Sequence, residues 1–256
     1  MLEAVALTKY YGALPAIRDV GFDIRPGRVL GLLGPNGSGK STTVKILTGL
    51  IQPSKGRIVF DGVPIEQDLI AHKARIGYVP EEAHLYQYLT GPEYLALVGG
   101  LRGLKPDVVE ARTEAFLKLW GIEDARYAAM SSYSKGMRQK ILLSAALLHD
   151  PPIVIFDEPN SGLDVTASLI LRSFVRALAR EGKLVVYSSH LLETVEAVCT
   201  DVVILHEGRI VARDEVTRLR DLMEMPSLEQ VFRALVIETD VDRTADDLVG
   251  AMRLGA

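Results

Sequence analysis

Hydrophobic residues along the chain fall into two kinds of segment. Short, almost wholly apolar runs bounded by turn residues predict buried β-strands, as in VLGLL (29–33), IVIF (153–156) and LVVY (184–187). Between such runs, apolar residues recur at helical spacing, as in TASLILRSFVRALAREG (166–182) and from Leu191 to about Val198. Strands that alternate with helices predict an α/β fold built on a parallel sheet.

A different pattern holds between Glu82 and Asp150, where helical spacing predominates and the loops GLKPD and SSYSKG interrupt it. We interpret this region as an α-helical subdomain inserted into the α/β core. Two further segments, GRIVFDGVPI (56–65) and DVVILHEGRIVAR (201–213), are predicted to be short strand pairs. Their turn dipeptides, Asp-Gly and Glu-Gly, indicate a small antiparallel β part beside the parallel sheet.

These patterns divide the chain into a main domain and a small acidic extension at the C-terminus. The predicted bounds are residues 1–215 for the main domain, with its core at 1–85 and 151–215 and the helical subdomain at 86–150, and residues 216–256 for the extension. The segment from Asp214 to the end carries ten acidic residues and five arginines. The formal net charge of −4 argues against nucleic-acid binding through general electrostatics, so we expect no nucleic-acid partner.

Cysteine content and apolar run length narrow the class of protein further. The single cysteine, Cys199, excludes an intramolecular disulfide and suits a reducing compartment. We expect it to be a small packed residue rather than a reactive thiol. The longest apolar run, ILLSAALLHDPPIVIF (141–156), is too short and too interrupted to span a bilayer, and the charged N-terminus is not a secretory signal. Any link to a membrane should therefore come through a partner.

A glycine-rich loop between a predicted strand and a predicted helix carries the strongest chemical signal. GPNGSGKS matches the pattern GxxxxGK[ST], in which glycines let successive backbone N–H groups turn inward around phosphate. The helix that follows points its positive N-terminus at the same phosphates. The loop predicts a nucleoside triphosphate site in which Lys40 reaches the β- and γ-phosphates and Ser41 is a ligand of Mg²⁺. The residues expected to contact the nucleotide are Gly34, Pro35, Asn36, Gly37, Ser38, Gly39, Lys40, Ser41 and Thr42.

Two carboxylates at the end of the strand IVIF indicate hydrolysis as well as binding. Asp157 stands where a parallel strand presents its C-terminal end, the edge at which such sheets bind ligands, and it can hold the water shell of Mg²⁺. Glu158 follows directly and can act as a general base for the attacking water, a role worth roughly 10²–10⁴ in rate. A solvated acidic pair would be the simpler interpretation if the upstream glycine-rich loop were absent.

The stretch SYSKGMRQK (132–140) acquires a role from these two motifs, because it opens a predicted helix and lies between them. Ser134 and Gly136 offer a hydroxyl, an unobstructed backbone N–H and a helix N-terminus, a combination that binds phosphate. Taken together, the motifs resemble those of the ATPase subunits of ATP-binding cassette (ABC) transporters. YSKGM resembles the family's signature LSGGQ, with departures at Tyr133, Lys135 and Met137.

The resemblance extends from Leu2 to about Arg213 and implies an α/β P-loop NTPase fold with a RecA-like core. It also implies that Tyr11 is the aromatic residue stacked on adenine, with Tyr10 as the competing candidate, and that Asp164 belongs to the loop SGLD that reaches the partner subunit. By the same resemblance, His190 is the switch histidine that contacts the γ-phosphate. Glu81 stands where much of the family has a glutamine that touches Mg²⁺ and the attacking water. The implied catalytic set is therefore Lys40, Glu81, Glu158 and His190, and the implied metal ligands are Ser41, Glu81 and Asp157.

The function implied by the resemblance is an ATP-hydrolysing motor, with ATP and Mg²⁺ as cofactors, on the cytoplasmic face of the membrane. Two copies would close around two ATP molecules and drive a separate integral membrane permease. A homodimer is favoured, because both halves of the site are intact in one chain. One branch of the family pairs with export-type (ABC-2-like) permeases, and three features of this chain resemble that branch: Glu81, the segment HLYQYLTGPEYL and the segment YSKGM.

Two further expectations concern the permease. Exposed apolar anchors for it are expected between residues 82 and 95, although packing within the helical subdomain is an equal alternative. The proposed anchors are Leu85, Tyr86, Tyr88, Leu89 and Tyr94. PSLEQVF (226–232) resembles a short docking element of the same branch. Two functional alternatives stay open: a soluble ABC ATPase acting on ribosomes or DNA, and a nucleotide-gated regulatory module without useful turnover.

Overall fold

A computed structural model describes residues 1–82, 85–236 and 251–252. Its strands are β1 (Leu2–Tyr11), β2 (Leu14–Ile24), β3 (Val29–Leu33), β4 (Lys55–Phe60), β5 (Val63–Pro64), β6 (Ile76–Val79), β7 (Ile153–Asp157), β8 (Leu184–Ser188), β9 (Asp201–His206) and β10 (Arg209–Glu215). Its α-helices are α1 (Lys40–Leu47), α2 (Leu69–Ala74), α3 (Gly91–Leu101), α4 (Pro106–Trp120), α5 (Lys135–Leu147), α6 (Val165–Arg180), α7 (Leu192–Val198), α8 (Val216–Leu222) and α9 (Leu228–Val236).

The central element is a six-stranded sheet in the order β10-β9-β3-β8-β7-β6. Strand β3 pairs in parallel with β8 and β9, and β7 pairs in parallel with β6 and β8, whereas β10 runs antiparallel to β9. Every residue of β3, β7 and β8 is buried, which explains why these strands are continuous apolar runs rather than alternating ones. The predicted parallel α/β core is confirmed, and its strands end at one common edge.

A second sheet, in the order β2-β1-β4-β5, is wholly antiparallel and contains the strand pair predicted at 56–65 as β4 and β5. The other predicted pair, at 201–213, forms β9 and β10, which belong to the main sheet because β9 pairs in parallel with β3. Leu2, Leu7 and Ile17 from this sheet share a buried cluster with Leu32 of the main sheet and Val44 of α1. The apolar pattern of the first ten residues did not predict β1. Irregular pairing between Ala4 and Leu7, beside a left-handed backbone at Ala6 (φ 49°), breaks the two-residue alternation by which strands are recognised.

Helices α3, α4 and α5 lie between β6 and β7 and pack on one another. The first of them begins at Gly91, later than the change of pattern at Glu82, because Thr90 and Glu93 form a capping box that fixes its start. Residues 83 and 84 of this segment lie outside the described residues. The structure thus places helices where an insertion was expected, while the predicted subdomain boundaries stay predictions.

Only part of the segment expected to contact the permease is exposed. Tyr86 and Tyr88 expose 65% and 94% of their surface. Leu85 is buried, and Leu89 and Tyr94 are partly buried against the main core, so the prediction of five exposed anchors was wrong for these three. These three side chains pack within the chain, which was the alternative expectation.

The described part of the C-terminal extension packs against the main domain. Leu228 and Val231 of α9 are fully buried, and Glu196 of α7 accepts hydrogen bonds from the Arg220 side chain (2.6 Å) and the Leu228 backbone N–H (3.0 Å). Leu228 and Val231 of PSLEQVF are therefore not available to a partner. The rest of the predicted extension, residues 237–250 and 253–256, lies outside the described residues.

The fold also bears on two expectations, that no segment spans a membrane and that Cys199 is a packed residue. Within the described residues, no helix has the length and apolar character needed to cross a membrane. Cys199 is buried against Gly31 of β3, and burial raises the pKa of its thiol. A thiol that stays protonated at neutral pH is a poor nucleophile, so the packed interpretation of Cys199 fits its surroundings.

Candidate active site

The glycine-rich loop connects the end of β3 to the start of α1, as its sequence predicts. Gly37 and Gly39 have positive φ values of 79° and 105°, which let the backbone curl in a way that residues with a Cβ rarely adopt. Gly39 also lies against β2, where a Cβ would come within 2.4 Å of Ile17 Cγ2. This close approach anchors the loop to the antiparallel sheet and leaves its outer side as a cradle.

Lys40 starts α1, but its ammonium group is held by the loop itself. Nζ donates to the carbonyl oxygens of Gly34 at 2.6 Å and Pro35 at 3.2 Å. The side chain is buried, and burial lowers the pKa of its ammonium, while the charges of Glu158, Asp157 and Glu81 oppose that shift. A cation held at the mouth of an anion cradle can exchange these carbonyls for phosphate oxygens with little movement.

Strand β7 ends at Asp157, and the chain turns sharply at Glu158. The backbone of Glu158 is left-handed (φ 47°), a conformation that costs energy for a non-glycine residue and is kept only when its surroundings enforce it. Its N–H donates to the carbonyl of Ser188 at 3.0 Å, at the end of neighbouring β8. The turn sends the Glu158 carboxylate toward the edge at which the parallel strands end.

At that edge the carboxylate of Glu158 meets residues that follow β8. Oε1 lies 2.9 Å from Nδ1 of His190, and Oε2 accepts a hydrogen bond from the Ser189 hydroxyl at 3.3 Å. Ser189 Oγ also accepts from the backbone N–H of Leu191 at 3.1 Å, so the serine links the carboxylate to the start of α7. The Glu158 side chain is only 13% exposed, whereas His190 is 65% exposed and can reach outward.

A cavity of ≈ 580 Å³ lies in front of these groups. Its walls combine the glycine-rich loop with the ends of β7 and β8, as well as with Glu81 after β6. The lining residues are Ala16, Asn36, Gly37, Gly39, Lys40, Ser41, Thr42, Glu81, Asp157, Glu158 and His190. The structure therefore brings the predicted catalytic residues and metal ligands around one space, and their roles stay predictions.

Negative charge is concentrated on one side of this cavity. Burial raises the pKa of Asp157, and the neighbouring carboxylates Glu81 and Glu158 raise it further, while Lys40 lowers it. Three carboxylates around one lysine leave the cavity short of positive charge, which a divalent cation would supply.

The oxygen donors here fit Mg²⁺ bound together with a triphosphate. Among the described residues, no group of three or more His, Cys, Asp or Glu side chains is arranged to hold a metal unaided. Mg²⁺ is typically bound by one or two carboxylates and by substrate phosphates, and Ser41 and Asp157 at this edge suit that mode. A self-sufficient metal cage would have needed more ligands from the protein.

The signature-like turn lies at the start of α5 and does not line the cavity. Ser134 is the N-cap of α5, and its hydroxyl accepts the backbone N–H of Met137 at 3.1 Å. Ser134 is exposed and Gly136 is half-buried. Lys140, by contrast, donates to the carbonyl of Trp120 at 3.0 Å and so joins α5 to the end of α4.

Asp164 and Tyr11, which were also predicted to contact nucleotide, lie outside the glycine-rich loop and do not line the cavity. Asp164 caps α6, accepting the backbone N–H of Ala167 at 2.8 Å. Tyr11 is about half exposed at the end of β1, and the ammonium of Lys9 lies 5.6 Å from its ring centroid. Tyr10 is exposed to a similar degree, so exposure alone does not choose between the two tyrosines.

Sequence reasoning missed Ser189. The dipeptide Ser188-Ser189 before His190 reads as an ordinary polar end of a strand, and only the fold shows that its second hydroxyl contacts Glu158. The available signal was position, because a polar residue at the C-terminal end of a parallel strand lies at the ligand edge.

Comparison with known proteins gives one consistent result. The family model for "ABC transporter" matches residues 17–161. The chain is 38% identical over 223 residues to the ABC transporter ATP-binding protein NatA of Bacillus subtilis (strain 168), covering 87% of this chain and 91% of that one. It is 34% identical to the linearmycin resistance ATP-binding protein LnrL of the same organism, covering 83% of this chain and 68% of LnrL. A solved ATP-binding subunit of an ABC transporter superposes with a TM-score of 0.86 at 33% identity, covering 92% of this chain and 99% of that one.

Proposed function

The chain belongs to the ABC transporter family, and from that membership we propose that it is the motor subunit of an exporter, which drives a separate membrane permease from the cytoplasmic face. As a member of this family it is an ATPase, with Mg²⁺ as the general cofactor. One observation carries the proposal. Lys40, Glu158 and His190 surround a single cavity, while Ser134 and Gly136, which also suit phosphate, lie outside it.

ATP would bind with its phosphates in the glycine-rich loop. Lys40 would move from the carbonyls of Gly34 and Pro35 to the β- and γ-phosphates, and the N–H groups at the start of α1 would face the same oxygens. Ser41 and Asp157, with Glu81 beside them, would hold Mg²⁺, which neutralises phosphate charge when bound. Tyr11 would stack on the adenine, a contact worth about 1–3 kcal/mol.

Glu158 would orient the attacking water and accept its proton. Its carboxylate is shielded from solvent and aimed at the cavity by the turn after β7, and His190 at 2.9 Å holds its orientation. His190 is exposed enough to contact the γ-phosphate as well. The pair would place base and phosphate contact side by side, which is what in-line attack on the γ-phosphate requires.

The signature-like turn would complete the site of a second copy. Ser134 and Gly136 offer a hydroxyl and a helix N-terminus, but they do not line the cavity of their own chain. Two copies facing each other would each supply this turn to the other's ATP, with Asp164 near the contact. One chain carries both halves of the site, which supports a homodimer that closes on two ATP molecules.

The permease contact and the direction of transport rest on different observations. Tyr86 and Tyr88 are exposed aromatic residues that precede α3, and such residues are typical of interface anchors. Export is supported by Glu81 in place of the usual glutamine and by the likeness to LnrL, whose name denotes linearmycin resistance. Localisation at the membrane would follow from the permease.

Co-purification tests the proposal against its alternatives. Tagged Glu158→Gln protein, trapped with Mg-ATP, is recovered from gently solubilised native membranes. A polytopic membrane protein should co-purify, and Tyr86→Ser with Tyr88→Ser should lose it, whereas Tyr127→Ser, at a tyrosine whose exposure lies between theirs, should keep it. Recovery of ribosomes or DNA without a membrane protein would replace the exporter with a soluble machine. Absence of turnover by the wild-type protein together with the membrane partner so identified would instead favour a regulatory module.

A further inference from the structure

The start of α5 is joined to the loop after Glu158 by three separate contacts. The side-chain amide of Gln139 donates from Nε2 to the carbonyl of Pro159 at 3.0 Å. Gly136 lies so close to this loop that a Cβ would come within 2.6 Å of the Gly162 carbonyl oxygen. Lys140 Nζ lies 4.0 Å from the Asp164 carboxylate. The signature-like turn and the residues that follow the catalytic strand are thus in direct contact within one chain.

Gln139 is the buried member of this set. It is 3% exposed, and the helix around it buries apolar side chains such as Ile141, Leu142 and Leu143. A buried amide is unfavourable in such a place unless it is hydrogen-bonded, and Pro159 is its acceptor. The contact therefore fixes where the Pro159 peptide group can lie.

That peptide group follows the strained residue of the active site. Two backbone hydrogen bonds hold Glu158 in its left-handed conformation. Its own N–H donates to the Ser188 carbonyl, and its carbonyl accepts the Ser161 N–H at 3.2 Å. The hydrogen bond from Gln139 adds a third fixed point at the next carbonyl along the chain. A strained residue stays in place only when its surroundings over-determine it, so losing one point should let the backbone relax and move the carboxylate.

We propose that Gln139 is a positioning residue for ATP hydrolysis. It locks the Glu158–Pro159 turn to α5, so that the water-activating carboxylate and the signature-like turn at Ser134 form one rigid body. The proposal rests on the function proposed above for Glu158. It adds a physical link between the chain's own hydrolytic group and the surface it offers to a second copy, because both are attached to α5.

Gln139→Met is the test, because methionine keeps the length and helix preference of glutamine and removes the side-chain amide, and with it the hydrogen bond to Pro159. Gln139→Leu is a second variant of the same design. Ser144→Ala is the matched control, since Ser144 is buried on the same helix and its hydroxyl donates only within α5, to Lys140. Steady-state ATPase activity, nucleotide affinity and thermal unfolding are measured for each, alone and combined with Glu158→Gln.

We expect kcat to fall about tenfold or more in Gln139→Met, because small displacements of a catalytic group are costly, while KM and nucleotide affinity stay within about twofold. In the Glu158→Gln background the same substitution should change the residual rate by less than about twofold, because it acts through Glu158. A folded Gln139 variant with the kcat of Ser144→Ala would overturn the proposal. An equal loss in the Glu158→Gln background would also overturn it, since the effect would then be structural. If Glu158→Gln alone kept full activity, the role proposed for Glu158 would be wrong. That single variant therefore distinguishes failure of the proposed function from failure of the proposal for Gln139.

Discussion

Replacing Gly136 by alanine tests how tightly the signature-like turn is seated. The new Cβ would lie 2.6 Å from the carbonyl oxygen of Gly162, about 0.8 Å closer than an ordinary contact of 3.4 Å. The obstructing atom belongs to the backbone of the loop between Glu158 and α6, so it cannot rotate away. Either α5 or that loop must shift.

The expected cost follows from two opposing effects. Overpacking of this kind typically costs about 1–3 kcal/mol. Alanine in place of glycine within a helix stabilises the folded state by up to about 1 kcal/mol. The net loss should be about 0.5–2 kcal/mol in the free energy of unfolding. Gly100→Ala provides the control, because Gly100 lies in α3 with nothing within 4 Å of the added Cβ and should show only the stabilising effect.

Urea unfolding followed by circular dichroism measures both variants under the same conditions. Gly136→Ala should unfold at a lower urea concentration than the wild type, and Gly100→Ala at an equal or higher one. Turnover should fall in Gly136→Ala alone, because its shift displaces the turn that a second copy uses. If both alanines stabilised the chain equally, the close contact between the turn and the loop would be refuted.

Three further outcomes are expected. Burial and the nearby Arg102 lower the pKa of His149 to about 4 from 6.5, so the contribution of the neutral ring to stability should be fully present above pH 6.5 and be lost as the pH falls toward 4. In unfolding measured against pH, His149→Gln should remove about 2 kcal/mol of that decline, a value reduced from the full shift because the ring is only partly buried. Leu228→Ala should lower the free energy of unfolding by about 2–5 kcal/mol, since Leu228 is fully buried, whereas Leu222→Ala, at a 66% exposed site, should change it by less than about 0.5 kcal/mol. Lys40→Met should abolish detectable binding of a fluorescent ATP analogue and leave the thermal midpoint near that of the wild type, because methionine keeps the buried stem and removes the charge.

The elements that the sequence predicted well are those whose signal is local. VLGLL, IVIF and LVVY are apolar on both faces because they are inner strands of a parallel sheet, and the glycine-rich loop has its chemistry in consecutive residues. The predicted cavity residues could be assembled because parallel strands end at one edge. Order along the chain was enough for that inference.

The features that sequence reasoning missed depend on contacts between distant residues. Leu85 was expected to be exposed, but it joins the main hydrophobic cluster, and an apolar pattern cannot state which neighbour will cover a side chain. The same holds for Leu228, which resembled part of a docking element and is covered by its own chain. Likewise, the left-handed turn at Glu158 and the hydrogen bond from Gln139 depend on the packing of α5 against the loop that follows β7.

If the site is completed between two copies of the chain, nucleotide binding should double the molar mass of the protein in solution. Light scattering coupled to gel filtration is carried out on Glu158→Gln with and without Mg-ATP, and on Glu158→Gln combined with Lys40→Met. We expect the mass of one 28.0 kDa chain without nucleotide, twice that mass with Mg-ATP, and no change when Lys40 is also replaced. A Glu158→Gln protein that binds ATP, shown by direct binding, and yet keeps the mass of one chain would contradict it.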